Sequence, residues 1–105
     1  MSETWVTVGA VGAIDRSDVV RVDHGGRTFA VYRTADDRYF ATDGLCTHGR
    51  VHLADGFVDG TTIECPKHNG RFDLTTGKAK GTPALVDLGC HPLRVTDGRI
   101  ELRVA

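Results

Sequence analysis

The chain predicts an antiparallel all-β fold, a β-sandwich or partly closed barrel. Short segments rich in β-branched and aromatic residues recur every 8 to 12 residues, turn-forming pairs divide them, and no stretch sustains a helical period. The 13 glycines include four Asp-Gly pairs, beginning at residues 43, 55, 59 and 97. Glycine, lacking a Cβ, enters the positive-φ conformations that tight hairpins require.

In chain order, Trp5–Val8, Val19–Val22, Thr28–Tyr32 and Arg38–Ala41 read as strands, separated by turns at His24-Gly25-Gly26 and Asp36-Asp37. After a glycine-rich middle, Thr61–Ile63, Arg71–Leu74, His91–Val95 and Arg99–Val104 follow, with Asp97-Gly98 predicting a hairpin between the last two. No linker, repeat or low-complexity segment interrupts the pattern, and 105 residues suit a single domain.

Composition excludes several classes of function. A net charge of -1 gives no electrostatic case for nucleic acid or an anionic membrane. The amino terminus has no basic segment before an apolar run, and its apolar residues are broken by glycines and too few to span a bilayer. Three cysteines cannot all pair, which disfavours a disulfide framework and points to a reducing cytoplasm.

The chemistry is concentrated in two short motifs. Cys46-Thr47-His48 is separated by residues 49–64 from Cys65-Pro66-Lys67-His68, so each motif offers one thiolate and one imidazole. Bringing the two together presents two sulfurs and two nitrogens to one point, which suits a metal. Zinc sites more often draw Cys-x2-Cys or His-x3-His from a single segment, whereas one Cys and one His from each loop suit a [2Fe–2S] cluster with two histidine ligands. Zinc stays open as the alternative.

From Cys46 to Gly81 the sequence reads CTHGRVHLADGFVDGTTIECPKHNGRFDLTTGKAKG. It resembles the cluster-binding region of Rieske proteins, specifically the small Rieske ferredoxins of bacterial ring-hydroxylating dioxygenase systems. Gly49, Leu53, Gly56, Gly60, Glu64, Pro66, Gly70, Phe72, Asp73 and Gly77 fall in register with that motif. The resemblance implies a base domain from about 1–42 and 83–105, with a cluster-binding subdomain of about 43–82 inserted between its strands. It also implies one [2Fe–2S] cluster, with Cys46 and Cys65 on one iron and His48 and His68 on the other.

The implied function is one-electron carriage from a flavin-containing, NAD(P)H-dependent ferredoxin reductase to a terminal oxygenase, by a monomeric cytoplasmic protein that is not itself an enzyme. A small Rieske subunit of another oxidoreductase complex and a zinc-stabilised structural module are the competing readings. High-potential Rieske proteins carry two further cysteines where this chain has Val51 and Lys67, and hydroxyl donors where it has Gly70 and Phe72. These departures imply a low potential.

The surrounding residues carry further expectations. Glycines 49, 56, 60, 70 and 77 are expected to allow positive φ and close backbone approach, Gly56 and Gly60 serving equally well as ordinary hairpin glycines. Pro83 matches the proline loop that covers the cluster in Rieske proteins. Cys90 is expected to be a small buried hydrophobe, and His24, His52 and His91 to be surface or packing residues. Arg50, Lys67 and Arg71 would form a basic rim suited to acidic partner surfaces.

Overall fold

A computed structural model describes residues 3–47, 50–67, 69–81, 84 and 86–105. Its strands are β1 (Trp5–Ala10), β2 (Asp18–His24), β3 (Arg27–Arg33), β4 (Tyr39–Asp43), β5 (Phe57–Asp59), β6 (Thr62–Glu64), β7 (Arg71–Asp73), β8 (Cys90–His91), β9 (Leu93–Thr96) and β10 (Arg99–Arg103). They form three antiparallel sheets, ordered β1-β10-β9, β2-β3-β4-β8 and β5-β6-β7, which do not close into a full barrel. Among the described residues there is no α-helix, and so no helix long and apolar enough to cross a membrane.

The turns follow from their sequences. Gly25 and Gly26 have φ of 58° and 78° between β2 and β3, and Asp97 and Gly98 have 51° and 73° between β9 and β10. Positive φ at both central residues gives the hairpin turn whose twist matches that of the strands it joins.

Strand β3 organises the interior. Phe29 and Val31 point into a core with Ile14, Ala41, Ile100, Leu102 and Val104, whereas Ala30 and Tyr32 point into a second core that also holds Cys46, Cys65, Leu53, Ile63, Phe72 and Leu74. All four β3 residues are fully buried, so the strand is a wall shared by both cores. Its continuous apolar run reflects burial on both faces, and the side-chain period of two sends alternate residues to opposite sides.

Three features depart from the sequence expectation. The segment His91–Val95 is two strands: β8 pairs with β4, β9 pairs with β10, and Pro92 separates them. Proline has no amide hydrogen to continue a ladder, and the chain changes sheets there. Strand β5 was not foreseen, because its edge position leaves Phe57 65% exposed and the three-residue run lacks alternation. Cys90, expected to be buried, is exposed on the two-residue strand β8 at the margin of its sheet.

Candidate metal centre

The two motifs occupy loops built on one plan. The first leaves the end of β4, and the amide of Cys46 donates to the carbonyl of Val51 at 3.0 Å. The second joins β6 to β7, and the amide of Cys65 donates to the carbonyl of Gly70 at 2.7 Å. In each, the cysteine opens a turn closed to the residue five positions on, and the expected histidine ligand falls inside that turn. His48 and His68 lie outside the described residues, as do Gly49 and Pro83.

Cys46 is 4% exposed and Cys65 fully buried, in the same apolar core, and neither is in a disulfide. Two cysteines from separate loops, kept from water and not joined in a disulfide, suit a group that needs thiolate donors. Around them stand Leu53, Ile63, Phe72, Leu74, Ala84 and Leu88. A third segment bonds to the first loop: the Thr47 hydroxyl donates to the Val86 carbonyl at 2.6 Å, and Ala84 beside it is buried in the same core. Leu45 and Val86 are exposed beside the first loop and on this segment.

Polar side chains fasten the loop bases. Asp43 accepts from the Gly89 amide at 3.1 Å and is 2.7 Å from Nε2 of His91, whose ring meets Phe29 edge-on at 4.9 Å between centroids. His52 is 6% exposed, accepts from the Ala54 amide through Nδ1 at 3.0 Å, and has Nε2 at 2.8 Å from Thr28 Oγ1. Burial, and then the Arg21 charge, hold its pKa below the usual imidazole range. His52, with both ring nitrogens bonded, and His91, with Nε2 beside Asp43, are thus the packing residues expected. Exposed His24 ends β2.

The glycines divide by role. Gly60 has φ of 59° in the β5–β6 turn and Gly77 has 78°, whereas Gly56 has φ of -93°. Gly56 is needed for space, since a Cβ there would lie 2.2 Å from the Glu64 carbonyl oxygen. In the second ligand loop the left-handed conformation falls on Asn69, with φ of 57°. Asparagine tolerates this conformation better than most residues, which leaves the buried Gly70 to supply its carbonyl to Cys65.

Sequence reasoning missed the Thr47–Val86 and Asp43–His91 contacts. Each joins residues about 40 or more positions apart, and no local pattern announces such a pairing.

An all-β chain that presents two buried cysteines from a matched pair of loops, each with a histidine close behind in sequence, offers the mixed thiolate and imidazole donor set of a metal-binding protein. The Rieske [2Fe-2S] domain model matches residues 4–92, and the chain belongs to that family. It is 40% identical over 104 residues to the ferredoxin component of the naphthalene 1,2-dioxygenase/salicylate 5-hydroxylase systems of Ralstonia sp., covering 99% of each chain. Among solved structures, the ferredoxin of Sphingomonas yanoikuyae B1 superposes with a TM-score of 0.89 at 36% identity, covering 97% of this chain and 100% of that one. A complex of reduced oxygenase and oxidized ferredoxin in carbazole 1,9a-dioxygenase gives 0.87 at 36% identity, covering 92% and 99%. The cofactor of this chain is therefore one Rieske [2Fe–2S] cluster, and its class is the electron-transfer component rather than the catalytic enzyme.

Proposed function

We propose that Cys46, His48, Cys65 and His68 hold the cluster, and that the protein carries single electrons from a flavin-containing, NAD(P)H-dependent reductase to a terminal ring-hydroxylating oxygenase in the cytoplasm, as a monomer. The carrying observation is the pair of buried cysteines, not joined in a disulfide, on matched loops in a chain whose relatives are dioxygenase ferredoxins. A group bound there takes up and releases one electron. The chain's own work is to supply two thiolates and two neutral imidazoles and to exclude water with Leu53, Phe72 and Leu88. The division into a base domain and a subdomain of about 43–82 has support in the sheet β5-β6-β7, whose strands all come from the middle of the chain.

The purified protein is expected to be red-brown, with about two irons and two acid-labile sulfides per chain, and to give a rhombic electron paramagnetic resonance signal only when reduced. Stoichiometric zinc without labile sulfide, in protein made under iron-replete anaerobic conditions, would overturn the assignment.

The docking end is tested by charge. Lys67→Glu is expected to slow reduction of a dioxygenase terminal component severalfold and to weaken its salt dependence. Arg71→Glu should act in the same direction, and it also sets two like charges beside each other, since Glu64 stands 3.6 Å from Arg71. Asp36→Lys and Asp37→Lys should change little: both lie in the β3–β4 turn, at the opposite end of β4 from the first ligand loop. Equal effects from both sets would place electron exchange on another surface.

A further inference from the structure

We propose that His52 is a positioning residue for the first ligand loop, holding the Cys46 segment against the β2–β3 hairpin through a directional hydrogen-bond relay that runs from His52 through Thr28 to Asp23. The proposal rests on the reading of Cys46 as a ligand.

The direction of every link is fixed by chemistry. The Ala54 amide can only donate, so Nδ1 of His52, 3.0 Å away, carries a lone pair and the hydrogen of the neutral ring is on Nε2. Nε2 therefore donates to Thr28 Oγ1 at 2.8 Å. The Thr28 hydroxyl in turn donates to Asp23 Oδ1 at 2.6 Å, because an ionised carboxylate can only accept. Arg21 Nε holds the same carboxylate at 3.0 and 3.1 Å, and the hydrogen bond from Thr28 keeps the Asp23 pKa below the usual carboxylate value.

The relay reaches the cysteine through the backbone. His52 follows Val51, whose carbonyl accepts the Cys46 amide, and it forms a bridge with Leu45, which precedes Cys46. The base of the loop closes on the same hairpin: the Gly44 amide donates to the Thr28 carbonyl at 3.0 Å, and the Leu53 amide to the Gly44 carbonyl at 2.8 Å. The ring fills the space so closely that a Cβ on Gly44 would lie 2.5 Å from Nε2. A side chain that fixes both the carbonyl bonded to Cys46 and the residue before it sets where that cysteine sits, without touching the metal.

The test uses the cluster-loaded protein and reads the rate of iron loss to an added chelator together with the resonance spectrum of the reduced state. His52→Asn keeps an acceptor near the Nδ1 position but is too short to reach Thr28, and Thr28→Val removes the same link from its other side. Each is expected to speed iron loss roughly fivefold, the size of one hydrogen bond, and to shift the resonance g values. The double variant should be no worse than either single, because both remove one interaction. Asp23→Asn, at an exposed carboxylate, should act in the same direction and less, and it decides the matter if Thr28→Val does not fold. Arg94→Ala, which breaks the distant Arg94–Glu101 pair and lifts the guanidinium from the Trp5 ring, should leave both readouts unchanged.

Wild-type iron loss and an unshifted spectrum in Thr28→Val, additive effects in the double variant, or an equal effect from Arg94→Ala would overturn the proposal. A protein that binds no iron and no labile sulfide would instead refute the ligand assignment beneath it.

Discussion

Replacing His48 or His68 by alanine is expected to abolish the rhombic signal of the reduced protein and to drop the iron and labile-sulfide content well below that of the parent. Removing an outer partner of a metal ligand typically costs about 10- to 100-fold in metal affinity, and removing the ligand itself should exceed that. No nearby imidazole can stand in. His52 is buried, with Nδ1 committed to the Ala54 amide and Nε2 to Thr28, and His91 Nε2 is 2.7 Å from Asp43. His24→Ala, at an exposed position on β2, is the matched control and should keep both signal and iron. A His48→Ala or His68→Ala protein with full iron content and an unaltered spectrum would show that the ligand set is different.

Among the glycines whose surroundings are described, Gly77→Ala should be the most damaging. Gly77 has φ of 78°, and a Cβ there would lie 2.2 Å from the Leu88 carbonyl oxygen and 3.1 Å from Cys90 Sγ. The backbone cannot retreat freely, because the Gly77 amide donates to Asp73 and its carbonyl accepts from Leu88, both at 2.7 Å. Left-handed φ alone costs a residue with a side chain roughly 1 kcal/mol. Displacing the Leu88 backbone, whose side chain packs in the core of both cysteines, should bring the total to about 3 kcal/mol or more, in the range reserved for backbone strain and core disruption.

The comparison that isolates the cause is Gly98→Ala. Gly98 has a similar φ of 73° but nothing within 4 Å of its added Cβ, so it should lose only the conformational part. Urea unfolding of the two variants measures the difference, with Gly77→Ala falling by roughly 1 to 3 M in midpoint for a small domain. Equal losses in the two variants would mean that φ alone matters and that the contact with Leu88 is absorbed.

Local patterns carried much of the structure, for identifiable reasons. The hairpin turns at Gly25-Gly26 and Asp97-Gly98 were legible because two consecutive positive-φ residues need particular amino acids and nothing from elsewhere in the chain. Strands β3 and β10 were legible because burial on both faces, or on one, writes a continuous or alternating apolar run. The pairing of a cysteine with a nearby histidine, twice over, was legible because metal ligation constrains residue type and short-range spacing together. The six-membered closure of each ligand loop, from Cys46 to Val51 and from Cys65 to Gly70, is equally local, though no residue preference marks the accepting carbonyl.

The all-β class, the order of most strands, the hairpins and the residue types at the metal centre are properties of neighbours within a few positions, and local pattern alone carries them. Long-range packing set everything else. It set the split of one apparent strand at Pro92 between two sheets, the exposure of Cys90 at a sheet margin, and the relay from His52 to Asp23. Each of these depends on which distant segment arrives alongside. Thr28 meets His52 across 24 residues and Asp43 meets His91 across 48, and the free energy that selects such contacts comes from burying β3 between two cores, a quantity no window of neighbouring residues contains.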